Sequence, residues 1–173
     1  LNSYEKLKDN IGEKDFGNAR IIITGDGRVA KGSLEFLEFT NIQKVLPNEY
    51  LQDNNSSAIF CNLPTSAYVI NKDGNDFDLQ HFINSPETYI SILDKYMPST
   101  SMLISSHYWD PKSPRLLEKK DIQKYKNLKV IGDITCDVNG SIPTTSRPST
   151  ILDPYYYLDR TTLQEVSQNN NAL

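Results

Sequence analysis

The chain has 173 residues and a formal net charge of −4 at pH 7, with 38% hydrophobic and 23% charged residues. These values are typical of one folded globular domain, and the acidic balance argues against nucleic acid as a partner. The longest apolar runs are strand-sized, so no membrane partner is expected, and the lack of a secretory signal pattern makes the cytoplasm the expected compartment.

In chain order, the pattern predicts a strand over residues 20–24, a helix over 30–40, strands over 42–46 and 58–63, a helix over 85–96, a strand over 101–106, a helix over 116–125 and a strand over 129–135. Turn and capping residues separate these segments. Gly25 follows the first strand and Pro47 closes the second. Ser85 with Pro86 is typical of a helix start, and Pro98 ends that helix.

Strands that alternate with helices predict an α/β fold of the Rossmann type, a doubly wound, mainly parallel sheet with helices on both faces. Residues 53–57 are predicted as a loop, and the chain after residue 138 as loop with one further edge strand. We expect a dinucleotide-binding domain over residues 20–160, preceded by a lead-in helix or linker over 1–19. Residues 161–173 are expected to form a tail that leads to the missing part of a substrate domain.

A glycine fingerprint stands directly after the first strand. The sequence from Gly25 to Ala30 fits G-x-G-x-x-A and leads into a helix, as in dinucleotide-binding turns. Gly27 would let a pyrophosphate approach the backbone, where free N–H groups and the helix dipole face it. The alternative is a glycine-rich turn without a ligand. The predicted cofactor-binding residues of this turn are Gly25, Asp26, Gly27, Arg28 and Val29.

Polar residues also follow two later strands. Asp133 and Asp137 leave the strand over 129–135, where carboxylates could orient a nicotinamide or simply bond turn N–H groups. Ser106 and His107 follow the strand over 101–106, where a histidine could titrate near neutral pH or be a partly buried structural residue.

The remaining candidates favour structural roles. Cys61 and Cys136 lie in short apolar segments, which predicts buried side chains, and two cysteines are too few for a zinc site. No metal site is predicted. His81 is expected to be exposed in a polar loop. The tyrosines of residues 155–157 favour a core cover or a contact with another domain.

Three ordered motifs together carry a family resemblance. They are GDGRVAKG at residues 25–32, YWDPxxPRLL at 108–117 and GDIxCDxxGSI at 132–142. Over residues 20–159 the chain resembles the cofactor-binding domain of the lysine-ketoglutarate reductase and lysine-forming saccharopine dehydrogenase family, which is related to alanine dehydrogenase. Members carry Glu and Phe after the Ser-Ile pair, where this chain has Pro143 and Thr144.

The resemblance implies an NAD(P)-dependent oxidoreductase that acts on CH–NH donors. Hydride would pass between a nicotinamide dinucleotide and the C–N bond of saccharopine or a related amino acid, with a small amino or keto acid as substrate. The resemblance places the acid–base lysine and histidine in a separate domain, so no catalytic residue is expected in this chain, and Asp137 and His107 would only support the reaction. By itself the chain would be inactive.

Other functions stay open at this point. An alanine dehydrogenase-like amino acid oxidoreductase and a non-catalytic nucleotide-sensing module both suit the same fold. A homo-oligomer is also open.

The choice between NAD and NADP depends on the second predicted strand. An NAD enzyme usually offers an acid to the ribose at that strand's tip, but residues 42–46 lead into Pro47, and Glu49 comes late. Arg28 could pair with a 2′-phosphate. The sequence therefore favours NADP slightly.

Overall fold

The computed structural model describes residues 3–52, 57–168 and 173. The predicted loop over residues 53–57 lies outside the described residues except for Ser57, which is in a bend. In the described part, no helix is long and apolar enough to cross a membrane.

The strands of the described residues are β1 Arg20–Thr24, β2 Gln43–Lys44, β3 Ile59–Leu63, β4 Val69–Asn71, β5 Tyr89–Ser91, β6 Met102–Ser105, β7 Val130–Asp133, β8 Tyr157–Leu158 and β9 Glu165–Val166. The helices are α1 Tyr4–Gly12, α2 Arg28–Leu37, α3 Pro47–Gln52, α4 Thr65–Tyr68, α5 Leu79–Asn84 and α6 Lys119–Ile122. Five strands form one parallel sheet in the order β2-β3-β1-β6-β7. The α/β prediction is confirmed.

The two faces of the sheet are covered by different helices. The chain runs from β1 through α2 to the edge strand β2 and then turns back through α3 to β3, beside β1. Because parallel crossovers are right-handed, this reversal puts α2 and α3 on opposite faces. The later crossovers, to β6 and to β7, run across the sheet in the same direction as the crossover from β2 to β3. Their connecting segments therefore lie on the same face as α3.

Two apolar clusters match this arrangement. On one face, Ile21 and Ile23 pack with Ala30 and Leu37 of α2. On the other face, Ile22, Cys61 and Leu103 pack with Tyr50 of α3 and with side chains of the later crossovers. Alternate residues of β1 therefore enter different clusters, as the pleat of a strand with two buried faces requires.

The helix predicted over residues 85–96 is wrong. The structure has short 3-10 helices at Pro86–Thr88, Leu93–Lys95 and Met97–Ser99, with β5 between the first two. β5 pairs antiparallel with β4, joining Val69 to Ser91. Tertiary pairing of the β-favouring Tyr89 and Ile90 outweighs the helix start signal.

Other boundaries differ as well. The helix predicted over 116–125 shortens to α6, because Leu116 and Leu117 are buried and their N–H groups donate to the Ser141 carbonyl instead of to helical partners. The helix predicted over 30–40 begins earlier, at Arg28, and ends at Leu37. The edge strand expected after residue 138 is a separate antiparallel pair, β8 with β9, and does not join the main sheet.

The amino-terminal helix lies against the end of α2. Ser3 caps α1 by accepting from the Lys6 N–H. The Tyr4 hydroxyl donates to Glu35, and the Lys8 ammonium lies 4.8 Å from the ring centroid of Phe39. The helix buries no residue completely, so its contact with the domain is made of such surface pairs.

Candidate functional site

Four neighbouring strands of the sheet end in one row. Leu63, Thr24, Ser105 and Asp133 are aligned neighbours across β3, β1, β6 and β7. The residues that follow them leave the same edge of the sheet, which in open α/β sheets is the edge where ligands bind. The fold therefore brings the predicted glycine turn, the Ser106–His107 pair and the two aspartates to one side of the molecule.

Gly25 is required by the fold itself. It has a φ of 94°, and an added Cβ would lie 2.9 Å from the His107 Cα and from the Ser106 carbonyl oxygen. Its N–H donates to the Leu63 carbonyl, and the Asn62 side-chain amide donates to the Gly25 carbonyl at 2.7 Å. The first glycine thus allows the backbone of the turn to pass close to the end of β6.

Gly27 has a different role, because nothing lies within 4 Å of a Cβ added to it. It is the N-cap of α2, makes no side-chain cap, and has an ordinary φ of −77°. No acidic residue stands in the first turn of α2. The free N–H groups at this end of α2 therefore face open space that can accept an anionic group.

Exposed side chains surround the beginning of α2. Asp26, Arg28 and Val29 are all exposed, and Val29 keeps 51% of its surface. Asp26 lies close enough to Tyr68 that, after burial as the main cause, its charge helps to raise the pKa of that phenol to about 12. The Arg28 cation and the Asp26 carboxylate thus stand on either side of Gly27.

Ser106 and His107 connect this turn to its surroundings. The Ser106 hydroxyl lies 2.9 Å from the Ser33 hydroxyl of α2, and the Ser106 backbone N–H donates to the Thr24 hydroxyl at 3.3 Å. His107 Nδ1 is 2.8 Å from the Thr24 Oγ1, and Nε2 is 2.9 Å from the Ser141 Oγ. The ring also makes an edge contact with Tyr68, with centroids 6.1 Å apart.

Burial lowers the pKa of His107 to about 4. The ring is therefore neutral at physiological pH, and both of its nitrogens are engaged by hydroxyl groups. This fits the structural interpretation of His107 better than a role as proton donor or acceptor.

The two aspartates differ in what they contact. One oxygen of the Asp133 carboxylate accepts from the Thr135 N–H and hydroxyl, and the other accepts from the Thr145 hydroxyl. Asp133 thus bonds both its own turn and the later segment that contains Thr145. Asp137 is exposed, and its carbonyl accepts the Gly140 N–H at 2.8 Å to close a turn.

The segment of residues 139–145 folds back against the earlier motif. The Arg115 guanidinium donates to the Asn139 carbonyl, and the Leu116 N–H donates to the Ser141 carbonyl. Together with the Thr24–His107–Ser141 chain, these bonds join all three motifs at one edge of the sheet. Sequence reasoning missed Thr24, Asn62 and Ser141 as members of the site, although all lie at or near strand ends or inside a motif.

A cleft of about 430 Å³ lies along the outer side of β7, and Asp133 and Thr145 are among the residues that line it. Tyr155, Tyr156 and Tyr157 line it together with Cys136 and Arg147. Cys61 is buried as predicted, but the burial predicted for Cys136 is wrong. Cys136 has a φ of 54° and lies in the exposed turn after β7, outside the apolar clusters.

The last two candidate features are His81 and a metal site. His81 is exposed as expected, although it lies in α5 and not in a loop. Among the residues that the structure describes, no group of three or more His, Cys, Asp or Glu side chains is arranged to hold a metal ion.

Comparison with known proteins finds several similar sequences. Alpha-aminoadipic semialdehyde synthase of Arabidopsis thaliana is 28% identical over 162 residues, which covers 78% of this chain and 15% of that protein. The mitochondrial alpha-aminoadipic semialdehyde synthase of Bos taurus is 27% identical over 175 residues, covering 84% of this chain and 18% of that protein. The chain is a relative of alpha-aminoadipic semialdehyde synthase.

A rat enzyme of the same name, also mitochondrial, is 26% identical over 169 residues. No family model matches the chain. The similarity to alpha-aminoadipic semialdehyde synthase confirms the resemblance that the three motifs predicted. The chain spans less than a fifth of the length of these relatives.

Proposed function

We propose that this chain binds a nicotinamide dinucleotide and forms the cofactor side of an oxidoreductase of the saccharopine dehydrogenase type. The observation that supports this most is the beginning of α2. At Gly27 it is uncapped by any side chain and open to an added atom, and it stands at the sheet edge where the three motifs meet.

Different residues of the site would contact different parts of the cofactor. Backbone N–H groups from Gly27 to Val29 would donate to the phosphate groups, and Gly25 would keep the turn close to β6. Asp26 and Arg28 would stand near the ribose groups. Ser106 and His107 would line the nicotinamide side, with Asp133 holding the adjacent turn and Asp137 facing the substrate.

The bound cofactor would supply or accept a hydride at the C–N bond of saccharopine or a related amino acid. His107 would orient its neighbours without moving a proton, because its ring is neutral and bonded at both nitrogens. By the resemblance, the acid–base groups and the rest of the substrate site come from another domain. An alanine dehydrogenase-like oxidoreductase is the alternative, because the same turn would serve it. The cytoplasmic location stays a prediction.

The fit of the turn to a dinucleotide can be tested at Gly27. Gly27→Val adds a branched side chain in the space that a pyrophosphate would need, and we expect the affinity for NADPH to fall at least about tenfold. Isothermal titration calorimetry with each protein measures the loss.

Gly32→Val is the matched control. Gly32 is also exposed, and an added Cβ there meets nothing within 4 Å, but it lies beyond the first turn of α2. If Gly27→Val leaves the NADPH affinity unchanged, the turn serves only the fold.

A further inference from the structure

We propose that His107 is a positioning residue whose ring joins the end of β1 to the segment after β7 and thereby fixes where Asp137 stands relative to the glycine turn. The part of this proposal that concerns cofactor affinity rests on the proposed function. The part that concerns the order of the segment after β7 does not.

The ring joins β1 directly to the segment after β7, whereas the sheet connects β1 to β7 only through β6. Thr24 and Asp133 lie two strands apart, about 10 Å at the usual strand spacing. His107 bonds Thr24 at one nitrogen and Ser141 at the other, at 2.8 and 2.9 Å. Thr24 and Ser141 are both completely buried, so these bonds have no competition from water.

A neutral imidazole suits these partners. One ring nitrogen donates and the other accepts, and each hydroxyl can take the complementary role. The Thr24 hydroxyl already accepts from the Ser106 N–H, so it is fixed in orientation by the backbone of β6. Tyr68 packs against the ring and holds its plane.

The segment that His107 holds has further hydrogen bonds, both to Asp133 at the end of β7 and to the connection between β6 and β7. The Ser141 carbonyl and the Asn139 carbonyl accept from Leu116 and Arg115, which belong to the connection between β6 and β7. The Ser141–His107–Thr24 chain joins this segment by hydrogen bonds to the strand of the glycine turn, and Ile142 packs in the same apolar cluster as Ile22 of that strand. Without this chain, Ser141 would lose its hydrogen-bonded link to β1, and the position of Asp137 would depend on the end of β7 and on its own turn.

The test replaces His107 with Phe, which keeps a flat ring against Tyr68 and removes both hydrogen bonds. Amide hydrogen exchange is followed at Asn139, Gly140 and Thr145, whose N–H groups bond within the segment. We expect exchange at these amides to become about tenfold faster, with β1 amides unchanged, and NADPH affinity to fall by a similar factor.

His81→Phe is the control, because His81 is the other histidine of the chain, lies on the exposed helix α5 and is bonded to the Tyr89 hydroxyl of β5. It should change neither exchange in residues 139–145 nor NADPH affinity. If His107→Phe fails to fold, Ser141→Ala, which removes one of the two bonds, should produce the same local increase in exchange.

Unchanged exchange in residues 139–145 of the folded variant would overturn the proposal, as would a His107 ring that nitrogen NMR finds protonated at pH 6. If the unsubstituted protein does not bind NADPH, the proposed function fails. The exchange comparison still decides the role of His107.

Discussion

At the scale of single residues, the two glycines of the turn separate the requirements of folding from those of binding. Gly25 is enclosed by the backbone of residues 106 and 107, whereas Gly27 faces open space. A motif match treats both glycines alike. The geometry assigns the first to the chain's own packing and leaves the second free for a ligand.

This difference predicts that the same substitution has a large effect on stability at Gly25 and a small one at Gly27. Gly25→Ala should lower the free energy of unfolding by about 1–3 kcal/mol, because it combines a φ of 94° with two contacts at 2.9 Å. Gly27→Ala should change it by less than about 0.5 kcal/mol. Urea denaturation of both variants measures the two values, and equal losses would show that the turn is differently packed.

The buried histidine predicts a second residue-scale effect, on the pH dependence of stability. The pKa of His107 falls from 6.5 to about 4 on folding. Between these values the unfolded chain binds more protons, so stability is complete above pH 6.5 and declines as the pH falls toward 4. Between pH 7.5 and 5, His107→Phe should lose less stability than the unsubstituted protein, by roughly 1–2 kcal/mol.

His81→Phe again serves as the comparison, because it leaves the buried ring in place. Urea denaturation at the two pH values gives the slopes. If the free energy of unfolding of His107→Phe falls with pH as steeply as that of the unsubstituted protein, another group causes the acid sensitivity.

At the scale of elements, the sequence predicted the parallel strands well and their neighbours less well. The short apolar runs of β1, β3 and β6 are buried or half-buried along their whole length, so composition alone identifies them. The order of the strands depends on tertiary packing, and the second strand lies at the edge instead of beside β1. Capping signals around Ser85 predicted a helix that pairing of β5 with β4 replaced.

The strand order moves the expected site of ribose recognition. The tip beside β1 belongs to β3, followed by Pro64 and Thr65, and not to β2 as the sequence suggested. If the chain binds a dinucleotide there, Thr65→Asp should shift its preference toward NADH by about tenfold, because an acid at that tip accepts from the ribose and repels a 2′-phosphate.

Asn48→Asp, at the exposed start of α3 after β2, is the matched control and should leave the preference unchanged. Parallel titrations with NADH and NADPH measure both ratios. A shift caused by Asn48→Asp alone would return the recognition of the ribose to β2.

At the scale of the whole molecule, the site is an edge of the sheet to which separated parts of the chain contribute. The glycine fingerprint and both aspartates were predictable because motif and strand end coincide in the sequence. The links through Thr24 and Ser141 were not, because they join residues 83 and 34 positions from His107. Long-range hydroxyl partners leave no local pattern.

The same assembly predicts that the chain binds cofactor without turnover. His107 is neutral and bonded at both nitrogens, and the resemblance places the acid–base pair in another domain. With lysine, 2-oxoglutarate and NADPH, the absorbance of the reduced cofactor at saturating protein should stay constant. Steady oxidation of NADPH that requires both lysine and 2-oxoglutarate would show that this chain does not need the acid–base pair of another domain.

The most direct test of the central claim is the mapping of NADPH onto the chain by backbone amide chemical shifts. The account predicts saturable changes in the micromolar-to-millimolar range that are largest from Gly27 to Lys31 and extend to Thr65 and His107. Gly27→Val should remove these changes while the rest of the spectrum remains. Changes confined to the cleft of Tyr155, Tyr156 and Tyr157, or none at millimolar NADPH, would contradict it.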